Sequence, residues 1–474
     1  MTKFIWSITL FCFPIILQAQ EMQPQIEQEI LRRVDQHINP SVAIGIITRE
    51  GDKKFYNYGS YTASGINTPD STTLYEIGSV TKTFTSALTE RYLADQTKAS
   101  LDMFFQKVAK ENSALKHISL AELRNHRSGL PRLSAQFSPH QWSDPFKGYT
   151  DEKLYEELRQ VDPDTAKGWA YSNFGYGVLG KVIEKQTEKD FGVLVSGLAL
   201  EAGMQNTWPG HAAAIDSVMA VPTNIGTTNS FWHFEGPSRY AGGLISSTND
   251  LLKYLEFQVK TNPLFGQRDI ENTVETGIHN LGRDMLFYKD GWFVFTPEPG
   301  TEILLHNGGT GGYTSFVGYN KKTQTGVVAL SNSVSLLDDI ALKLIYPPFQ
   351  LKAPRRSIAY DLAMNIEEND AGNLVQNYEA LKAEDRYNNI IDIYWLERYH
   401  FGEGHYEISN QLSDILLLEL PDDWEVVDIK GQNLEKLQRY GEAQKMYEAA
   451  LKLNPDNKLL REKALRMIEI QAKQ

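Results

Sequence analysis

The chain contains a single cysteine among 474 residues. That residue, Cys12, lies in an apolar stretch at the N-terminus, so the rest of the chain can form no disulfide, thiolate metal site or cysteine nucleophile. The His-Glu-x-x-His spacing of a zinc hydrolase is also missing. These absences leave hydroxyl, amine, imidazole and carboxylate groups to carry any chemistry.

Basic residues are outnumbered, with 47 Lys and Arg against 60 Asp and Glu, and no basic stripe points to a nucleic-acid partner. Long apolar runs are lacking as well. Residues 4–17 are apolar but short for a membrane span. Lys3 precedes this run and Gln18-Ala19-Gln20 follows it, a pattern typical of a secretory signal peptide, with a membrane anchor as the alternative. We expect a signal peptide over 1–19 and a periplasmic or secreted protein without a membrane span after cleavage.

The length of the chain predicts two domains. Apolar patterns predict strands near both ends of the first 350 residues, and a mostly helical region between them over residues 83–259. A sheet built from both ends with helices inserted between them predicts an α/β fold with an all-helical lobe. We expect the functional site in the cleft between these parts. The predicted strands cover 42–47, 54–58, 292–295, 301–305, 313–319 and 326–331, and terminal helices cover 25–37 and 336–345.

A cluster of prolines at positions 347, 348 and 354 predicts a linker over 351–370, followed by helices over 371–474. Tyr440, Leu451 and Pro455 repeat the residue types found 34 positions earlier. This period resembles that of tetratricopeptide repeats, with an unrelated amphipathic helix bundle as the alternative. Such repeats bind proteins or peptides, or they could brace the first domain.

Ser79 and Lys82 stand three residues apart after Gly78, which predicts a turn that leads into a helix. This spacing places both side chains one turn apart on one helix face. A serine hydroxyl needs a nearby base to become a nucleophile, and a lysine can be that base if burial or a nearby cation keeps it neutral. Because Ser-x-x-Lys also occurs by chance, a solvated helix start is the alternative.

A second group combines Tyr171 and Asn173 between two glycines. A tyrosine can transfer a proton when a neighbouring lysine lowers its pKa, and an asparagine can bind a substrate amide. The alternative for Tyr171 is a core aromatic. Residues 175–180 also match the dinucleotide pattern Gly-x-Gly-x-x-Gly, but no apolar strand precedes them, which excludes nucleotide binding there.

The third group, His306-Asn307-Gly308-Gly309, follows an apolar strand. Glycines there would let a substrate approach the backbone closely, and an edge strand could donate an amide N–H to an oxyanion. No Gly-Lys-Ser/Thr follows, so a phosphate cradle is excluded. A glycine-rich hairpin is the alternative.

In this order the three groups resemble the Ser-x-x-Lys, Tyr-x-Asn and Lys/His-x-Gly motifs of the serine acyl-enzyme superfamily of penicillin-binding proteins and class C β-lactamases. Residues 123–131 and 241–251 are similar to two further segments of that family, and the resemblance covers roughly residues 25–346. It implies a β-lactamase-like/DD-peptidase fold, an antiparallel sheet flanked by helices plus an all-helical lobe, over residues 20–350.

The resemblance implies a role for each matching residue. Ser79 would be acylated, and Lys82 and Tyr171 would share the proton transfers, in an order disputed across the superfamily. Asn173 would contact the substrate amide, and the amides of Ser79 and Gly309 would form the oxyanion hole. Water would release the product, without any metal or cofactor.

His306 departs from the lysine that β-lactamases carry at the third motif, and looks more like the family's D-amino-acid peptidases and esterases. We therefore expect an exported serine hydrolase that cleaves an amide or ester in a small peptide or ester substrate. The alternatives are a β-lactamase proper, or a catalytically weak penicillin-binding sensor or scaffold that acts through its repeats. Arg239 is the candidate for restoring the missing positive charge.

Overall fold

The computed structural model describes residues 22–62, 65–135, 137, 143–166, 168–267, 286–369, 372–455 and 457–473. The predicted signal peptide and Cys12 lie outside these residues. None of the helices within the described ranges has the length and hydropathy needed to cross a bilayer.

A seven-stranded antiparallel sheet forms the centre of the first domain, in the strand order β2-β1-β11-β10-β9-β8-β7. Two further ladders, β3 with β6 and β4 with β5, have two residues in each strand. The strands are β1 (Ser41–Ile47), β2 (Lys53–Gly59), β3 (Tyr75–Glu76), β4 (Thr223–Asn224), β5 (Thr227–Thr228), β6 (Ile245–Ser246), β7 (Leu286–Lys289), β8 (Trp292–Glu298), β9 (Thr301–Gly309), β10 (Thr314–Asn320) and β11 (Thr325–Ser331).

The pairing of β1 with β11 joins the two ends of the domain, with Val42 opposite Ser331 and Ile47 opposite Gly326. Both strands are buried along almost their whole length, which explains their nearly continuous apolar sequence. The predicted sheet from both ends of the segment is therefore confirmed, as is the helical insertion between them.

Helices cover both faces of this sheet. They are α1 (Pro24–Asp35), α2 (Thr81–Leu93), α3 (Leu101–Phe104), α4 (Gln106–Ala109), α5 (Leu120–Arg124), α6 (Asp151–Gln160), α7 (Asn173–Thr187), α8 (Phe191–Glu201), α9 (Ala213–Asp216), α10 (Arg239–Gly242), α11 (Thr248–Thr261), α12 (Pro263–Gly266) and α13 (Asp338–Ile345). Helices α1 and α13 pack on one face around Ile44 and Phe316, whereas α2, α7 and α11 form the larger core on the other face.

The C-terminal region is all helical. Its helices are α14 (Ile358–Asn369), α15 (Leu374–Ala383), α16 (Ile390–Gly402), α17 (Tyr406–Glu419), α18 (Trp424–Lys436), α19 (Tyr440–Leu453) and α20 (Lys458–Gln471). Helices α16, α18 and α20 begin 34 residues apart, and so do α17 and α19. The sequence period is thus a period of helical hairpins, while assignment to the tetratricopeptide family stays a prediction.

The predicted linker at 351–370 contains helix α14, whose apolar face reaches the first domain. Ile358, Ala359, Tyr360 and Leu362 are buried together with Ile225, which lies between β4 and β5. The proline cluster placed the predicted linker too far along the chain. All three prolines precede Ile358, where the helix begins. The helical region therefore rests directly on the β4–β5 hairpin of the first domain.

Candidate active site

Ser79 lies where the chain turns into α2. Gly78 has φ +47°, a left-handed conformation that glycine adopts without a steric cost, and a 3-10 turn over Gly78–Val80 leads into the helix. A Cβ on Gly78 would come within 2.8 Å of the backbone N and O of Gly309. The glycine therefore allows the turn that carries Ser79 to lie directly against β9.

Lys82 is fully buried one turn after Ser79, as its spacing predicts. Its Nζ donates to Ser79 Oγ at 3.2 Å and to the carbonyl of Ala241 at 2.8 Å. Burial lowers the pKa of Lys82 well below its usual range, and the charge of Arg132 lowers it further. A neutral amine within hydrogen-bond distance of the serine hydroxyl can accept its proton.

Tyr171 completes this group from the loop before α7. The Lys82 Nζ lies 4.8 Å from the centroid of its ring. Desolvation raises the pKa of Tyr171 to about 12, although a hydrogen bond with Ser79 and the charge of Arg132 lower it in part. The tyrosine is therefore a protonated phenol at neutral pH, which leaves the amine of Lys82 as the available base.

The loop that carries Tyr171 and Asn173 is held from both sides. The Ser172 hydroxyl caps α7 by accepting from the amide of Gly175 at 2.8 Å, and its own amide donates to His126 Nδ1 at 3.0 Å. The Asn173 amide donates to the carbonyl of Arg132 at 2.9 Å. These bonds place the Asn173 side chain on the wall of the cavity next to Ser79.

The backbone of β9 meets Ser79 at the predicted glycines. The β8 ladder ends at Leu305, so residues 306–309 pair only with β10 among the described strands. A Cβ on Gly308 would lie 2.2 Å from the Ile77 carbonyl and 2.8 Å from the amide N of Ser79. Ser79 and Gly309 both line the cavity, and an oxyanion hole formed by their amides stays a prediction.

Gly308→Ala tests this close approach. The added methyl group would meet backbone atoms on the Ser79 turn, so β9 has to move away and one oxyanion donor is displaced. We expect kcat/KM to fall by about 10²–10³-fold, the usual cost of one such donor. Gly197→Ala, in an exposed part of α8 with open space around the added Cβ, is the matched control in the same steady-state assay. An active Gly308→Ala enzyme would contradict this geometry.

His306 does not line the cavity among its described residues. Its ring is buried at 1 % exposure, lies 5.1 Å from the ring of Phe293, and its Nδ1 donates to the Asn307 carbonyl at 2.7 Å. Burial lowers the pKa of His306 to about 3, and the nearby Lys82 contributes to this shift. The imidazole is therefore neutral, and a direct contact with substrate stays a prediction.

The cavity of about 240 Å³ next to Ser79 includes residues that the sequence patterns did not single out. Arg132 follows directly after the segment 123–131, which was the available signal for it. Four of the aromatic residues come from two loops that carry no motif, and the fifth, Phe174, lies at the start of α7 next to Asn173. Those lining the cavity are Phe146, Tyr149, Phe174, Trp232 and Phe234.

Arg239 does not line this cavity. Its guanidinium donates to Glu184 at 3.0 Å and lies 3.5 Å from Asp190. These two carboxylates hold the side chain outside the cavity lining, to which α10 contributes Ala241 and Gly242. The suggestion that Arg239 replaces the missing lysine is therefore wrong.

One group of side chains among the described residues could hold a metal ion. His211, Asp216 and His233 bring possible ligand atoms within 4.8 Å of one another. Both ring nitrogens of His211 are already paired, with Asp216 at 2.7 Å and Glu76 at 2.8 Å, and His233 Nδ1 is paired with Asp144 at 2.8 Å. This network supports the wall beside Trp232 and requires no cation.

Comparison with known proteins gives consistent matches over the first domain. The family model described as Beta-lactamase matches residues 26–344. A "Beta-lactamase" of Providencia stuartii is 30 % identical over 291 residues, which covers 58 % of this chain and 70 % of that protein.

Solved structures match the same part of the chain. A class C beta-lactamase superposes with a TM-score of 0.56 at 18 % identity, covering 69 % of this chain and 96 % of the other. A "Beta-Lactamase/D-Alanine Carboxypeptidase" from Pseudomonas syringae does so with a TM-score of 0.55 at 20 % identity, covering 68 % and 96 %. The class C β-lactamase-like fold expected from the motifs is thereby confirmed.

Proposed function

Because the chain belongs to the Beta-lactamase family of serine hydrolases, we propose that it cleaves an ester or amide through an acyl-enzyme on Ser79. The observation that carries this proposal is the contact between Ser79 Oγ and the buried amine of Lys82 at 3.2 Å. A lysine buried without a carboxylate partner is costly unless it is neutral, and a neutral amine next to a serine hydroxyl is a general base.

Acylation follows from these positions. The Ser79 Oγ attacks the substrate carbonyl carbon while its proton passes to Lys82 Nζ, and the carbonyl oxygen takes its negative charge between the amides of Ser79 and Gly309. The carbon–leaving-group bond then breaks. The protonated Tyr171, whose hydroxyl bonds to Ser79, can relay the proton from Lys82 to the leaving oxygen or nitrogen.

Deacylation repeats these steps with water. A water molecule loses its proton to Lys82 and attacks the acyl carbon, and the bond to Ser79 Oγ breaks as the serine regains a proton. The same two amides stabilise the second oxyanion, so one set of groups serves both halves of the reaction.

We propose small peptides with D-amino acids as the leading substrate class and small esters as the second. The neutral, buried His306 supports this choice, because it supplies no positive charge at the position where β-lactamases carry a lysine. A structural relative named as a D-alanine carboxypeptidase is consistent with it.

A substrate panel tests this function. The purified protein without residues 1–19 is offered D-aminoacyl peptides, D-Ala-D-Ala peptides, p-nitrophenyl esters and nitrocefin. We expect turnover of at least one ester or peptide, with a kcat/KM for nitrocefin at least about tenfold lower, one tenfold step being 1.4 kcal/mol. Efficient nitrocefin hydrolysis would instead establish a β-lactamase proper.

Export and a protein or peptide partner for the helical repeats belong to the same proposal. Support for export comes only from the pattern at the N-terminus, in which Lys3 precedes the apolar residues 4–17. The alternative role of the helical repeats is to brace the hydrolase domain, because α14 is buried against Ile225. A sensor or scaffold without turnover is disfavoured by the assembled Ser79, Lys82 and Tyr171.

A further inference from the structure

The cavity next to Ser79 contains one charged side chain among the described residues that line it. That residue is Arg132, and the described part of the lining includes no Asp, Glu or Lys. A concave site with a single cation and no anion selects for a negatively charged ligand group.

The backbone of Arg132 is fixed although its side chain is exposed. Its carbonyl accepts from the amides of Asn173 at 2.9 Å and Phe174 at 3.3 Å, which ties it to the start of α7. The guanidinium carbon lies 5.1 Å from the centroid of the Tyr171 ring. Within the described part of the chain, no carboxylate lies within ion-pair distance of this guanidinium, so its donors remain available to a ligand.

The other cations near the site cannot take this role. Lys82 is buried and bonded to Ser79 and Ala241, and its pKa is lowered well below the usual range. Arg239 is paired with Glu184. His306 is neutral, buried and absent from the described lining of the cavity.

Aromatic rings form part of the wall of the same cavity. Phe146 stacks on Phe234 with centroids 4.6 Å apart, and Trp232 meets Phe146 at 5.6 Å. The interplanar angle of the first pair is 17° and that of the second is 67°. Such a wall binds an apolar or aromatic group and excludes water, which strengthens a nearby charge pair.

We infer that Arg132 binds a carboxylate of the substrate, and that the enzyme prefers esters and amides that carry an apolar or aromatic group together with a carboxylate. This inference rests on the proposed function, since it names the substrate class of the same site. Arg132 lies in the loop between α5 and α6, whereas the third-motif position of the family's lysine, His306, lies on β9. A guanidinium can hold a carboxylate through two parallel hydrogen bonds, whereas an ammonium is a point charge.

Two matched pairs of esters test this inference. One pair varies the acyl part: the p-nitrophenyl monoester of glutaric acid and its neutral methyl ester. The other varies the leaving group: 3-carboxyphenyl and 3-carbamoylphenyl phenylacetate. In at least one pair we expect the carboxylate substrate to have a kcat/KM about 10- to 100-fold higher, as expected for a hydrogen-bonded charge pair. The responding pair identifies the side of the scissile bond that Arg132 contacts.

Variants separate substrate binding from the effect of Arg132 on Lys82. Within a pair, the ratio of kcat/KM for the carboxylate substrate to that for its neutral partner does not depend on the basicity of Lys82, because both substrates use the same base. Arg132→Gln should bring this ratio close to one, and Arg132→Glu should invert it. Lys147→Gln removes a nearby exposed cation that does not line the cavity, and it should keep the wild-type ratio.

The outcomes also distinguish this inference from the function on which it depends. Wild-type ratios near one in both pairs, or ratios unaffected by Arg132→Gln, would overturn the carboxylate site while the hydrolase proposal stands. If wild type hydrolyses none of the four esters and Ser79 is not labelled by a fluorophosphonate, the hydrolase proposal fails, and the inference fails with it.

Discussion

Replacing Ser79 by alanine is expected to abolish turnover of every substrate that the wild-type enzyme accepts. Without the hydroxyl no acyl-enzyme forms, and the amides of Ser79 and Gly309 can only polarise a bound carbonyl. Loss of a nucleophile that acts as a unit with its base costs about 10⁶-fold in a serine protease, so we expect a loss of at least about 10⁴-fold. Initial rates with the best substrate of the panel give the measurement.

Folding has to be preserved for that result to have meaning. Ser79 is partly exposed, and among the described residues its hydroxyl hydrogen-bonds only with Lys82 and Tyr171, so the alanine variant should keep the melting temperature of the wild type. Ser196→Ala on the exposed face of α8 is a matched control for the serine-to-alanine change. Residual activity above one hundredth of wild type in a folded Ser79→Ala protein would mean that another residue is the nucleophile.

Replacing Lys82 by methionine is expected to have the second largest effect. Methionine has a similar length and no proton acceptor, so the serine loses its base while the space stays filled. We expect kcat/KM to fall by about 10²–10⁴-fold, the usual contribution of a general base. Rates of the wild type should fall as the pH drops through the lowered pKa of Lys82, because protonation removes the base, and the variant should lose this dependence.

Lys82→Met should also increase the stability of the folded protein. Lys82 is neutral in the folded protein at a pH where it is charged in the unfolded chain, so the unfolded state binds more protons and native lysine costs stability near neutral pH. Methionine removes that cost, and calorimetry at pH 7 should show a higher melting temperature. Lower stability together with lost activity would indicate that Lys82 is a charged structural residue.

The sequence predicted the parts of this molecule that depend on local spacing. Ser79 and Lys82 lie on one turn because three residues separate them, and β1 and β11 are recognisable because both are buried on two faces. The 34-residue period of the helices was visible for the same reason.

Features that depend on tertiary packing could not be predicted. The aromatic wall comes from loops around Phe146 and Trp232, which are distant in sequence and meet only in the folded chain. The burial of His306 near Phe293 does not follow from its place in a motif. Arg239 was the candidate cation in the sequence, and only the folded structure shows that Glu184 and Asp190 already pair with it.

The central claim is that Ser79 becomes covalently acylated, and the mass of the intact protein tests it most directly. Wild-type protein is mixed with a fluorophosphonate or a fluorescent penicillin. The intact mass is measured first, and the modified residue is then located by peptide mapping. We predict the mass increase of one adduct, confined to the peptide that contains Ser79 and absent from Ser79→Ala. A folded wild-type protein that gains no mass, or carries the adduct on another residue, would contradict the account.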